Sequence, residues 1–149
     1  MMKLITIFAL ATLLLISNCA AISFVPTTND LAWSNLVAQD AKVLGSDMEL
    51  ISYTATNMDM MGVKKYCDLT ASDMQDALEN SQMYTVSREL QESKDYWEQA
   101  LVTIKSGVEK CSRGCTLGDV TLITQGTNLM TTGNEYVMLA TRALKIALA

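Results

Sequence analysis

Downstream of Pro26, the only proline, the chain is patterned as four apolar stripes with a seven-residue repeat. Val37, Ala41, Leu44, Met48, Ile51, Ala55 and Met58 fall at alternating spacings of four and three. A second stripe runs Val63, Cys67, Thr70, Met74, Ala77, Ser81 and Tyr84, with Leu78 beside it. The third is Leu90, Trp97, Leu101, Ile104, Val108 and Cys111, with the charged Lys94 at the one position that breaks it. The fourth is Ile123, Gly126, Met130, Gly133, Val137, Ala140, Leu144 and Ala147. Such spacing puts each set on one face of a helix, and no strand-like alternation of useful length competes with it. The expected fold is all-α, an antiparallel four-helix bundle with shallow crossing angles.

The punctuation agrees with four helices. Asn29 and Asp30 are suited to cap the first, and the NMDMMG stretch around Gly62 separates it from the second. The polar VSRELQESKD segment reads as a turn, and SRGCTLGD as a loop before the last helix. Gly126, Gly133, Ala140 and Ala147 place a small residue at every seventh position of the fourth stripe. A glycine inside a helix costs about 1 kcal/mol relative to Ala, and close packing of the last helix on its neighbours is the expected compensation.

The N-terminus carries a different signal. Lys3 precedes the uncharged run LITIFALATLLLI, and small residues follow in SNCAAIS. A basic start, a short apolar core and a small-residue end describe a secretory signal peptide, residues 1–21, cut after Ala21. The run is shorter than the roughly 20 residues of a membrane span. Residues 22–149 then form one domain of a secreted protein with no membrane segment. Losing Lys3 leaves 10 basic and 16 acidic residues, a net charge of −6. That balance disfavours nucleic acid and anionic membranes, and it favours a basic protein partner.

Removal of the leader also removes Cys19, leaving Cys67, Cys111 and Cys115. In an antiparallel hairpin of the second and third helices, Cys67 and Cys111 are equidistant from residue 89, inside the polar turn. They would meet at one end of the hairpin, on the two core stripes, where adjacent helices bring Cα atoms within the ~7 Å that a disulfide needs. A bridge closing about 45 residues would contribute on the order of 3–4 kcal/mol on chain-entropy grounds. Metal binding is the competing reading. Three thiolates and no histidine fall short of a structural zinc set, and the C-x₃-C spacing is not the C-x-x-C redox spacing. No metal or cofactor is expected. Cys115 lies beyond Gly114 and off the stripe, and three fates stay open to it: a free thiol, an alternative partner for Cys67, or a link between two chains in a dimer.

Three segments resemble the plant invertase and pectin methylesterase inhibitor family. They are YCDLTASDMQDAL, SKDYWEQALVTIKSGVEKC and the closing NEYVMLATRALKIALA. The resemblance implies a four-helix bundle with a cysteine bridge between the second and third helices, in agreement with a Cys67–Cys111 pair. It also implies a secreted inhibitor acting in the apoplast or cell wall. Such an inhibitor occupies the cleft of a carbohydrate-active enzyme without covalent chemistry. The N-terminal helical hairpin of that family and its own disulfide have no counterpart in ISFVPTTND, and the Pro-Lys-Phe stretch associated with invertase is absent. Pectin methylesterase is therefore the favoured target. The resemblance implies a contact surface on the second and third helices, carried by Asp76, Glu79, Lys94 and Tyr96.

An enzyme is the weakest class. With no histidine the chain lacks the commonest general base, and no Ser/His/Asp or Cys/His set can be assembled. Asp68, Asp73, Asp76 and Glu79, three to five apart, read as a solvated helix face. The alternative to an inhibitor is a small secreted helical carrier with an apolar ligand held among Met48, Met58, Met74, Met130 and Met138. A family member without inhibitory activity is the third reading.

Overall fold

The computed structural model describes residues 24–149; the leader, its cut after Ala21 and Cys19 lie outside the described residues. Four helices make up nearly all of this span: α1 Thr28–Thr56, α2 Met60–Gln82, α3 Arg88–Leu117 and α4 Val120–Ala147. No strand occurs among the described residues. None of these helices is long and apolar enough to cross a membrane.

Three of the four helices, α1, α2 and α4, start where a side chain takes up free N–H groups. Thr27 is the N-cap of α1, two residues ahead of Asn29, and forms a capping box in which Asp30 is the N3 partner rather than the cap expected from sequence. Asp59 caps α2 by accepting from the Gly62 N–H at 2.9 Å. Asp119 caps α4 by accepting from the N–H groups of Thr121 and Leu122. Gly62 is thus inside the first turn of α2, and the link from α1 is the short Asn57–Asp59 segment, where Met58 takes a left-handed φ of 56°.

Two boundaries differ from the sequence reading. SRGCTLGD is not a loop: α3 continues through Cys115 to Leu117 and stops at Gly118, whose φ of 66° suits a left-handed cap. The glycines and serines of this stretch are tolerated because Ser112 and Gly114 are buried against neighbouring elements. The polar turn is displaced as well: the link is 83–87, and VSRELQESKD beyond Ser87, residue 89 included, is already the start of α3.

Helices adjacent in sequence pack on one another, α1 on α2, α2 on α3 and, most extensively, α3 on α4. Contacts run in opposite chain order across each seam. Trp33 meets Ser81 at one end of α1–α2, and the Thr54 methyl lies beside Gly62 at the other. Across α2–α3, Ser81 bonds Glu98 and Asp68 bonds Ser112. Across α3–α4, Gly114 faces Ile123, Ile104 faces Gly133 and Ser93 bonds the Ala140 carbonyl.

The core confirms most of the stripes. Val63, Cys67, Thr70, Met74, Ala77 and Ser81 are the buried residues of α2, and all six stripe positions of α3 are buried. Helix α3 buries a second set as well, including Ser93, Ala100 and Gly107, because it has a neighbour on each side. The first stripe fares worst. Trp33, off its N-terminal end, is completely buried, whereas Met58 at its C-terminal end is 85% exposed.

Candidate functional site

The three cysteines of the described residues form one cluster of free thiols at the α2–α3 seam. Cys67 projects from the core face of α2 and Cys111 from that of α3, and both are buried. The contact between their thiols, with burial, pushes Cys67 up; for Cys111 the contacts with Cys67 and Cys115 outweigh burial and draw it down to about 7. Cys115 is one turn further along α3, half-buried and hydrogen-bonded to Cys111; burial, then the neighbouring Cys111, raises it to about 11. It was expected in a loop and off the stripe. Its place is on the helix beside Cys111, packed against the core. Among the described residues no group of three or more Cys, Asp or Glu is placed to hold a metal ion.

The cluster is braced on its outer side. Ser112 donates to Asp68, and Asp68 also pairs with Lys64 four residues earlier on α2. The Lys64 ammonium and the Ser112 hydroxyl hold the Asp68 carboxyl below its ordinary range. This contact pins α2 to α3 one residue away from the Cys67–Cys111 pair.

The four residues expected to contact a partner do not share one seam. Asp76 and Glu79 are exposed on α2, Glu79 accepting from Gln75. Lys94 is only 12% exposed in its side chain and is committed to Glu98 at 3.2 Å. Glu98 also accepts from Ser81, whose hydroxyl accepts in turn from the Trp33 indole N–H at 3.1 Å. The charge that interrupts the third stripe is thus the end of a polar chain through three helices. Tyr96 points to the other side of α3, stacked on Tyr136 of α4 with ring centroids 6.4 Å apart.

The methionines separate similarly. Met48 and Met74 belong to the core, Met130 is partly buried, and Met58 and Met138 are exposed. They do not line a common interior.

A second polar feature was not singled out from sequence. An open cleft of about 150 Å³ lies between α1 and α2, lined by Asp40, Val43, Asp73, Met74, Asp76, Ala77 and Asn80. Asp47, one heptad beyond Asp40, is 94% buried and faces Asp73, and its Oδ2 has no hydrogen-bond partner. Burial, then the charge and hydrogen bond of Asp73, push Asp47 up to about 6. Burial also raises Asp40, whose Oδ2 is likewise buried without a partner. A signal existed in the sequence: Asp40, Asp47 and Asp73 each immediately precede a stripe residue, Ala41, Met48 and Met74. Carboxylates at the edge of an apolar face are drawn into the seam when that face docks.

Comparison with the sequence models of known families, with curated proteins and with solved structures finds no match for this chain.

Proposed function

We propose that residues 22–149 form a secreted, antiparallel four-helix bundle with a Cys67–Cys111 disulfide, and that this bundle is a non-covalent protein inhibitor of a carbohydrate-active cell-wall enzyme. Pectin methylesterase is favoured over invertase. The observation that carries the reading is the apposition of Cys67 and Cys111 across the α2–α3 seam, where the family resemblance also puts a bridge. A thiol drawn down to about 7, as Cys111 is, supplies the thiolate that attacks a mixed disulfide. An oxidising secretory compartment supplies the oxidant.

The exposed Asp76 and Glu79 are the parts of the expected contact surface free to meet a partner. With the net negative charge of the mature chain they would steer it towards a basic enzyme. Lys94 and Tyr96 are committed within the bundle, Lys94 to Glu98 along α3 and Tyr96 to Tyr136 of α4. Occlusion of a cleft needs a rigid surface and no reacting group, which suits a bundle whose helices are tied at each seam by buried polar contacts.

Inhibition of purified pectin methylesterase and invertase, measured side by side with the oxidised mature chain, tests this. Saturable inhibition of the esterase that weakens on replacing Asp76 and Glu79 is the expected result. Full activity of both enzymes at high excess of the chain would remove the inhibitor reading.

A further inference from the structure

We propose that α1 is a pH-released helix: it docks on α2 in acid and, as the pH rises to neutrality, comes away as a unit about the Asn57–Asp59 link while α2, α3 and α4 stay packed. Its attachment is the slightest in the fold. The α1–α2 seam is the least extensive of the three, and the cysteines of the described residues, all at the α2–α3 seam, give α1 no covalent tie beyond the link. Two hydrogen bonds hold its N-terminal end, Asp30 accepting from the Ser87 N–H at 2.8 Å and the Trp33 indole donating to Ser81 at 3.1 Å. Beyond Trp33, the polar contact that α1 makes with another helix among the described residues is the meeting of the Asp47 and Asp73 carboxyls.

That contact holds in one protonation state. Asp47 is 94% buried and its Oδ2 accepts from nothing, so a charge on it is poorly compensated. With a proton between them, one carboxyl donates to the other; with none, two like charges are held together in a desolvated seam. Asp73 on α2 is the charged group that acts on Asp47, and among the described residues none from α3 or α4 does. Asp40, one heptad earlier on α1, has its own Oδ2 buried without a partner, and Asp76 of α2 is exposed at the cleft. No basic residue lines that cleft, and the ion pairs of the described residues take Lys64, Lys94 and Lys105 to Asp68, Glu98 and Glu109 instead.

The two attachments titrate apart. Burial, then Asp73, push Asp47 up to about 6, and burial raises Asp40. Asp30 lies below its ordinary range, where its donors Ser87 and Thr27 outweigh burial, so the N-terminal hydrogen bonds do not change between acid and neutral pH. A carboxyl raised in the docked helix favours docking below its ordinary value, and that gain is lost as the pH climbs through about 6. What then remains beyond Trp33 is apolar contact, chiefly of Leu44, Met48 and Ile51, which undocking uncovers. The inference needs only this seam and stands apart from the inhibitor reading.

Native-state amide hydrogen exchange of the mature chain at pH 5 and pH 8, corrected for the intrinsic chemical rate and repeated in low urea, tests it. The amides of α1 should exchange through an opening of their own, with protection at least about tenfold below that of the α3 core and a weaker dependence on urea. That protection should fall about tenfold from pH 5 to pH 8, a factor of ten for the one unit by which pH 5 lies below 6. Asp47→Asn, neutral at every pH, should remove the fall. Asp73→Asn, at the less buried member of the pair, should lessen it and keeps the test open if the Asp47 variant does not fold. Exchange of α1 in one unit with α3, no fall between pH 5 and pH 8, or a fall as large in both variants as in the parent would overturn the proposal.

Discussion

Gly107 and Gly126 meet backbone to backbone across the α3–α4 seam. A Cβ on Gly126 would lie 2.5 Å from the Gly107 carbonyl oxygen and 2.8 Å from the Cys111 nitrogen, and one on Gly107 would lie 2.8 Å from the Gly126 oxygen. Neither obstacle is a flexible side-chain tip, so the helices would have to separate. Through Cys111, this contact also sets the depth at which α3 presents its thiol to Cys67.

Gly126→Ala should therefore destabilise the fold by about 1–3 kcal/mol, the usual cost of overpacking, despite the better helix propensity of alanine. Gly45, mid-way along α1 with nothing within 4 Å of an added Cβ, is the internal control. Gly45→Ala should stabilise by about 0.5–1 kcal/mol. Urea unfolding of both variants checks the sign of each change.

Asp30 is a long-range clamp. Its carboxylate is fully buried and accepts from the N–H and hydroxyl of Thr27 and, at 2.8 Å, from the N–H of Ser87 at the start of α3. Burial alone would raise this acid, but the backbone donors of Ser87 and Thr27 and the nearby hydroxyls outweigh it, and the carboxyl sits below its ordinary range. An acid lowered in the native state loses its contribution as pH falls below the unfolded value, about 3.9. Asp30→Ala should cost about 2–3 kcal/mol at neutral pH, the scale of charge-assisted hydrogen bonds, and should flatten the acid limb of stability against pH.

Asp47 has the opposite sign. Raised to about 6 from an ordinary 3.8, it binds a proton in the native state at pH values where the unfolded chain has lost it. Stability from this group is thus full below the ordinary value and declines as pH rises towards and through about 6. Asp47→Asn, which keeps a neutral polar group beside Asp73, should raise stability near pH 7 by about 1–2 kcal/mol and remove that decline. Thermal unfolding between pH 4 and 8 separates this variant from Asp30→Ala, since the two act in different windows.

The thiol cluster makes a prediction about covalent state. After oxidation the mature chain should titrate one free thiol per monomer, at Cys115, and the Cys115→Ser variant none. Reduction should then lower stability by up to about 3–4 kcal/mol for a loop of this length. Three free thiols after oxidation, or a linked dimer that keeps two free thiols per chain, would show that Cys67 and Cys111 are not the pair, whereas a dimer with no free thiol is the Cys115 link. Non-reducing mass analysis with thiol alkylation reads all three cases.

Much of this was legible in the residues. The stripes of α2 and α3 named their buried faces because a single dominant period leaves little choice of face. The register about residue 89 agrees with the contacts Ser81–Glu98 and Asp68–Ser112, but not because the turn is centred there: the link is 83–87 and residue 89 already belongs to α3. The cleft was not legible in the same way. Asp73 and Asp76 look alike in sequence, three apart on one helix, yet Asp73 turns into the α1 seam beside Asp47 while Asp76 remains exposed. Which acids desolvate depends on a partner helix that periodicity alone does not position.

By itself the sequence determined four helices, their order, the faces that α2, α3 and α4 bury, and the need for close approach along the glycine-bearing α4. These follow from local preferences and from one apolar stripe per helix. Only the tertiary structure decided that α3 runs unbroken through Ser112–Cys115, that Lys94 ends a polar chain from Trp33, and that Asp30 closes the α1 capping box while holding a turn 57 residues away. Each of these depends on a group arriving from elsewhere in the chain. A helix propensity, a buried charge and an unpaired donor are all decided by the neighbour that meets them, and local pattern does not encode that neighbour.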